Sequence, residues 1–149
     1  MTTQQSTFSV SDWLTGRLPS EWFTAVAVTV DREEITILGT IPAPESGSTD
    51  SQSGRIKRFR EDTRGQRIEI ALELESRTEL KVSWGVTCGQ TTEMFTRLAV
   101  PVMTRLAQPQ RQVLDPLVEA GVARSRSAAL AWCVPLVAQH QVDWLAELE

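Results

Sequence analysis

Side chains able to carry chemistry are few in this chain of 149 residues, and arginine dominates them. One histidine, His140, and no tyrosine leave little that could titrate near neutral pH or serve as a general acid. The two cysteines, Cys88 and Cys133, lack CxxC spacing and a nearby histidine, so they read as plain buried thiols rather than a zinc or redox pair. The carboxylates show no partner pattern of the kind acid–base catalysis needs. No catalytic residue, metal site or cofactor is therefore expected, and the chain does not read as an enzyme. What remains is cationic. Six basic residues between Arg55 and Arg67, including Arg55, Lys57, Arg58 and Arg60, face only Glu61 and Asp62. The plainer reading of that run is a solvated helix face with internal ion pairs, and the sharper one is a secondary phosphate-contacting surface. Between Pro101 and Arg126, four arginines (Arg105, Arg111, Arg124 and Arg126) stand against Asp115 and Glu119. The formal net charge of -4 argues against wholesale coating of nucleic acid, yet acids gathered at Glu69–Glu79 and in the tail leave room for a local basic face.

The elements that must position these groups follow from periodicity and turn chemistry. Ser11 is a candidate cap for a short helical turn through Leu14 that ends at Gly16. Ala25–Val30 and Glu34–Ile41 are β-branched strands whose three-residue connection, Asp31 to Glu33, has hairpin length. Residues 43–54 contain no large apolar side chain and predict a mobile loop. Arg55 to Glu79 carries two conflicting periods: Ile56, Phe59, Thr63, Ile70 and Leu74 suit a helical face, whereas Ile68, Ile70, Leu72 and Leu74 alternate like a strand. Length and composition favour a long helix, weakened at Gly65. Lys81–Cys88 is then a strand, and the chain turns at Gly89 towards Phe95–Val100. The class is α+β, with an α+β domain over 1–100 and a second unit over 101–149. Thr2 to Ser6 is polar and no apolar run approaches membrane-spanning length, so a cytoplasmic protein without membrane contact is expected.

In the second unit, Val102 to Gln108 alternates, with Val102, Thr104 and Leu106 on one face and Met103, Arg105 and Ala107 on the other. Gln110 to Ala120 places Val113, Leu114, Leu117 and Val118 at helical spacing before Gly121. A further helix starts at Arg124-Ser125-Arg126-Ser127, with Ser125 or Ser127 as its cap and Leu130, Val134 and Val137 inward. This order, with Leu106, Leu114-Asp115-Pro116-Leu117-Val118, Gly121 and Ser125-Arg126-Ser127 at their spacings, resembles the Arc/CopG-type ribbon-helix-helix family. Pro116, Pro135 and the non-acidic Ala128 depart from that pattern.

The resemblance implies a homodimer in which two strands pair as a ribbon in the major groove of double-stranded DNA. Met103 and Arg105 would then touch base edges, while Arg124, Ser125, Arg126 and Ser127 would hold a phosphate at a helix start. The expected function is a DNA-binding transcriptional regulator, nucleoid-associated in the cytoplasm. The competing expectation is an interaction or scaffolding dimer that uses the same segment without DNA.

Overall fold

A computed structural model describes residues 8–148 as two compact units that divide between Val100 and Pro101. The class is α+β. The first unit opens with α1 (Val10–Arg17), whose cap is Ser9 rather than Ser11: the Ser9 hydroxyl accepts the Asp12 N–H at 3.2 Å. Strands β1 (Ala25–Val30) and β2 (Glu34–Ile41) form the expected antiparallel hairpin. Its turn is local chemistry, because the Asp31 carboxylate accepts the N–H groups of Glu33 and Glu34, both at 2.8 Å. Those two bonds hold the Asp31 carboxyl below its ordinary pKa.

Helix α2 (Thr49–Thr78) carries the chain back so that β3 (Lys81–Cys88) pairs parallel with β2, and β4 (Thr91–Met94) closes the sheet antiparallel in the order β1-β2-β3-β4. Parallel neighbours require such a crossover. The expected loop over 43–54 is corrected here, since its second half is the first turns of α2. Ser48 caps the helix by accepting the Ser51 N–H, and Gln52 is buried with its amide oxygen accepting the Thr91 hydroxyl at 2.7 Å. A segment without large apolar residues is thereby ordered by a hydrogen bond to a residue far along the chain. After the turn at Gly89 the fourth strand is Thr91–Met94, ahead of Phe95–Val100.

The helical period of the ambiguous segment is the one the fold uses. Ile56, Thr63, Arg67, Ile70 and Leu74 form the buried stripe of α2, while Ile68 and Leu72 are exposed. That stripe packs on Ile35, Ile37, Trp84 and Val86 of the two central strands. Trp22 sits among the rings, edge-on to Phe59 at 5.7 Å and to Trp84 at 6.2 Å, a favoured aromatic geometry. Gly39 is required in β2 because any Cβ there would run into the Phe23 ring.

The second unit is helical: α3 (Gln108–Glu119), α4 (Arg126–Ala138) and α5 (Gln141–Glu147). α3 ends in a Schellman turn, with Gly121 at φ 80°, its N–H donating to the Val118 carbonyl and that of Val122 to the Leu117 carbonyl. Pro116 and Pro135 lie inside α3 and α4, and both helices run through them. Val102–Ala107, expected to pair with the same segment of a second copy, joins no sheet among the described residues, and Gln108 already belongs to α3. Val134 and Val137, expected on the inner face of α4, are exposed, and Ala129 is the buried contact instead. Among the described residues, no helix is long and apolar enough to cross a membrane.

Candidate nucleic-acid interface

The residues expected to touch DNA fall into three places. Met103 is 94% exposed and Arg105 is also exposed, on the unpaired segment that precedes α3. The end of that segment is anchored: Arg111 donates to the Leu106 carbonyl at 2.6 Å, and the Gln110 side chain accepts the Ala107 N–H at 3.0 Å. Leu106 therefore has a fixed position against α3, while Met103 and Arg105 project freely.

At the start of α4, Ser125 is the cap: its hydroxyl accepts the Ala128 N–H at 3.1 Å. Arg124 and Ser127 are exposed. Arg126 is not free for a phosphate, because its guanidinium meets the Asp115 carboxylate through two bonds of 2.8 and 3.1 Å. The fork geometry joins α4 to α3. Its hydrogen bonds push the Asp115 carboxyl down and the Arg126 guanidinium up in pKa.

A folded-state pKa below the unfolded one means a contribution fully present above the ordinary carboxylate range and lost as pH falls through the depressed value. Asp115→Asn is thus expected to lower the helix content and melting temperature of the C-terminal unit near neutrality. The difference from the parent should shrink towards zero as the pH falls through the depressed value. Circular dichroism melts across that range check it. A gap that persists in acid would show that the pair's charge is not what matters, and the exposure of both groups keeps the neutral-pH effect modest.

The basic run of α2 is split rather than assembled. Arg55 and Arg58 lie on one flank of the buried stripe beside Glu21 and Asp62, with Arg58 paired to Asp62 at 3.7 Å. Lys57 and Arg60 lie on the other flank, joined by Arg64. The four residues proposed from sequence as one phosphate-contacting set therefore face different ways. Arg67 was not singled out, and it is the run's one buried cation. The signal was present in Thr63 and Arg67 at i, i+4, since the Thr63 hydroxyl accepts the Arg67 Nε–H at 2.9 Å. No group of three or more metal-ligating side chains gathers among the described residues.

The molecule is thus an α+β protein with a β-α-β crossover at the centre of its sheet and a separate helical unit carrying exposed arginines and apolar side chains. Residues 8–94 match the model of the Rv1265-like protein, N-terminal domain, and residues 107–149 match the Mb1296 C-terminal domain. The chain belongs to the Rv1265-like family. It is 54% identical over 149 residues to the uncharacterized protein Mb1296 of Mycobacterium bovis and to the uncharacterized protein Rv1265 of Mycobacterium tuberculosis H37Rv. Each match covers 97% of this chain and 66% of the relative, so the chain spans slightly less than two thirds of their length. No solved structure matches it.

These matches overturn the resemblance to the Arc/CopG ribbon-helix-helix family, whose model is not among them. The spacing that suggested it has a local origin. Gly121 closes a Schellman turn and Ser125 caps the next helix, which are common local solutions for two helices joined by a short turn.

Proposed function

We propose that this protein binds double-stranded DNA as a homodimer assembled through its C-terminal unit, serving as a cytoplasmic, nucleoid-associated regulator of transcription. The observation that carries the reading is how little this unit buries. Leu114 and Ala129 are its buried apolar side chains, whereas Trp132, Val134, Leu136, Val142, Trp144 and Leu145 are exposed together with Val102 and Met103. Patches of that extent on a soluble surface mark association sites, and a second copy offers the same apolar chemistry. Arg105 and Arg124 then appear twice in the assembly, doubling the charge offered to phosphates or base edges.

A second reading is favoured by Arg126: its pairing with Asp115 removes one cation from the helix start, as suits a scaffolding dimer without DNA. Gel-shift titrations with duplex fragments at low and moderate salt separate the two. On the DNA reading, complexes survive competitor DNA, and Arg105→Ala weakens specific binding by about thirtyfold or more, from about 1–3 kcal/mol at each of two copies. The dimer itself should persist by light scattering. Binding that vanishes under competitor, or that ignores Arg105→Ala, leaves the scaffolding reading in its place.

A further inference from the structure

Three cations of α2 converge on a hollow of about 310 Å³ with no carboxylate in its lining. Arg60, Arg64 and Arg67 follow one another at i, i+4 and i+7, which places them along one helical stripe. The opposite wall is apolar, built from Ile68 on the same helix and from Val82 and Trp84 of β3.

Arg67 is the key to the site. It is 7% exposed, and among the described residues the ion pairs are made by Arg17, Arg58 and Arg126, not by any of these three. Its partners are neutral: the Thr63 hydroxyl at 2.9 Å from Nε, the Arg60 carbonyl at 2.6 Å from Nη2, and the Phe95 ring, whose centroid is 4.7 Å from the guanidinium carbon. Arg60 lies on the same ring at 5.0 Å. Such contacts fix orientation without cancelling charge. Burial, followed by the fields of Arg60 and Arg64, pulls the Arg67 pKa down to about 10, so the group stays charged at neutral pH. Nη1 enters no hydrogen bond among the described residues. A buried cation flanked by two others and without a carboxylate beside it is suited to an anion.

We propose that this hollow binds a phosphate-bearing small molecule, its phosphate on Arg60, Arg64 and Arg67 and its apolar body against Ile68, Val82 and Trp84. Three guanidinium groups suit the near-dianionic charge and multiple acceptor oxygens of a phosphomonoester better than a single carboxylate. The neighbouring hollow shares Arg60 and Arg64 but also holds Glu61 and Glu93, which would repel the phosphate towards the Trp84 side. The site belongs to the N-terminal unit and stands independently of DNA binding by Arg105.

The test is a titration of the full chain with inorganic phosphate, phenyl phosphate and phenol. The arginine Nε–H and tryptophan Nε1–H resonances report the binding. Phenyl phosphate should shift the signals of Arg60, Arg64, Arg67 and Trp84 saturably, about tenfold more tightly than inorganic phosphate because its ring is buried. Phenol alone should leave the arginines unmoved. Arg64→Gln, at an exposed position, should keep the fold by circular dichroism and weaken phenyl phosphate by about tenfold or more. Arg105→Ala should change nothing here. The assignment fails if the three arginines do not respond, if Arg64→Gln binds as tightly as the parent, or if Arg105→Ala abolishes the response. Equal affinity for phosphate and phenyl phosphate would overturn the apolar half of the site.

Discussion

Leu74→Ala is expected to destabilise the N-terminal unit by about 3–5 kcal/mol, a large share of the stability of a domain this size. Leu74 is fully buried on the last turns of α2 and packs in the cluster of Ile35, Ile37, Ile70 and Trp84. Truncation removes methyl groups from water-free surroundings and leaves a space that two sheet strands and a rigid helix cannot collapse to fill. The control lies two residues away: Leu72 is 59% exposed, and Leu72→Ala should change stability by no more than about 0.5 kcal/mol. Urea unfolding followed by tryptophan fluorescence measures both, since Trp22 and Trp84 lie in or beside the affected core. The pair also discriminates between the two periods of this segment. A strand would place Leu72 and Leu74 on one face, so similar losses at the two positions would refute the helical phase of α2.

Leu136→Glu carries the second large effect, this time on assembly. Leu136 follows Trp132 by one helical turn, so the two extend one apolar stripe on the exposed surface of α4. A stable interface needs roughly 1,600 Å² in total with an uncharged centre, and a symmetric dimer would bring the new carboxylate in twice. For the proposed dimer, the dissociation constant should rise by about a thousandfold or more, leaving monomer at micromolar concentration. Because the unit buries little besides Leu114 and Ala129, loss of the partner should also reduce the helical signal of α3 and α4. Light scattering and circular dichroism follow the two effects together. Unchanged mass with full helicity would mean that this stripe is not where copies meet, and would remove the main support for the dimer.

Several features of the molecule are readable without coordinates because their hydrogen bonds span only a few residues. Asp31 makes its own turn, Gly121 closes α3 and Ser125 caps α4, all from groups within about five positions. The same locality explains the mistaken family resemblance, since caps and a glycine turn describe a helix pair and not its partner. Met103 and Arg105 were recognisable as an outward-facing pair by alternation alone, but alternation needs a neighbouring strand before it becomes a sheet.

The amino-acid order by itself determined most of the elements, the α+β class and the presence of a long arginine-rich helix, because propensity, capping and period act over a single turn. Its apolar stripe was legible too, but only the tertiary structure decided where the helix begins and what surrounds each of its cations. The start of α2 is set by Gln52 meeting Thr91, and its phase by Ile56, Ile70 and Leu74 settling on parallel strands. That phase divides Arg55 and Arg58 from Lys57 and Arg60 and brings Arg67 under Phe95. Rotation of a helix about its axis costs nothing locally, so contacts between distant residues are what select the face that holds charge and the face that holds the core.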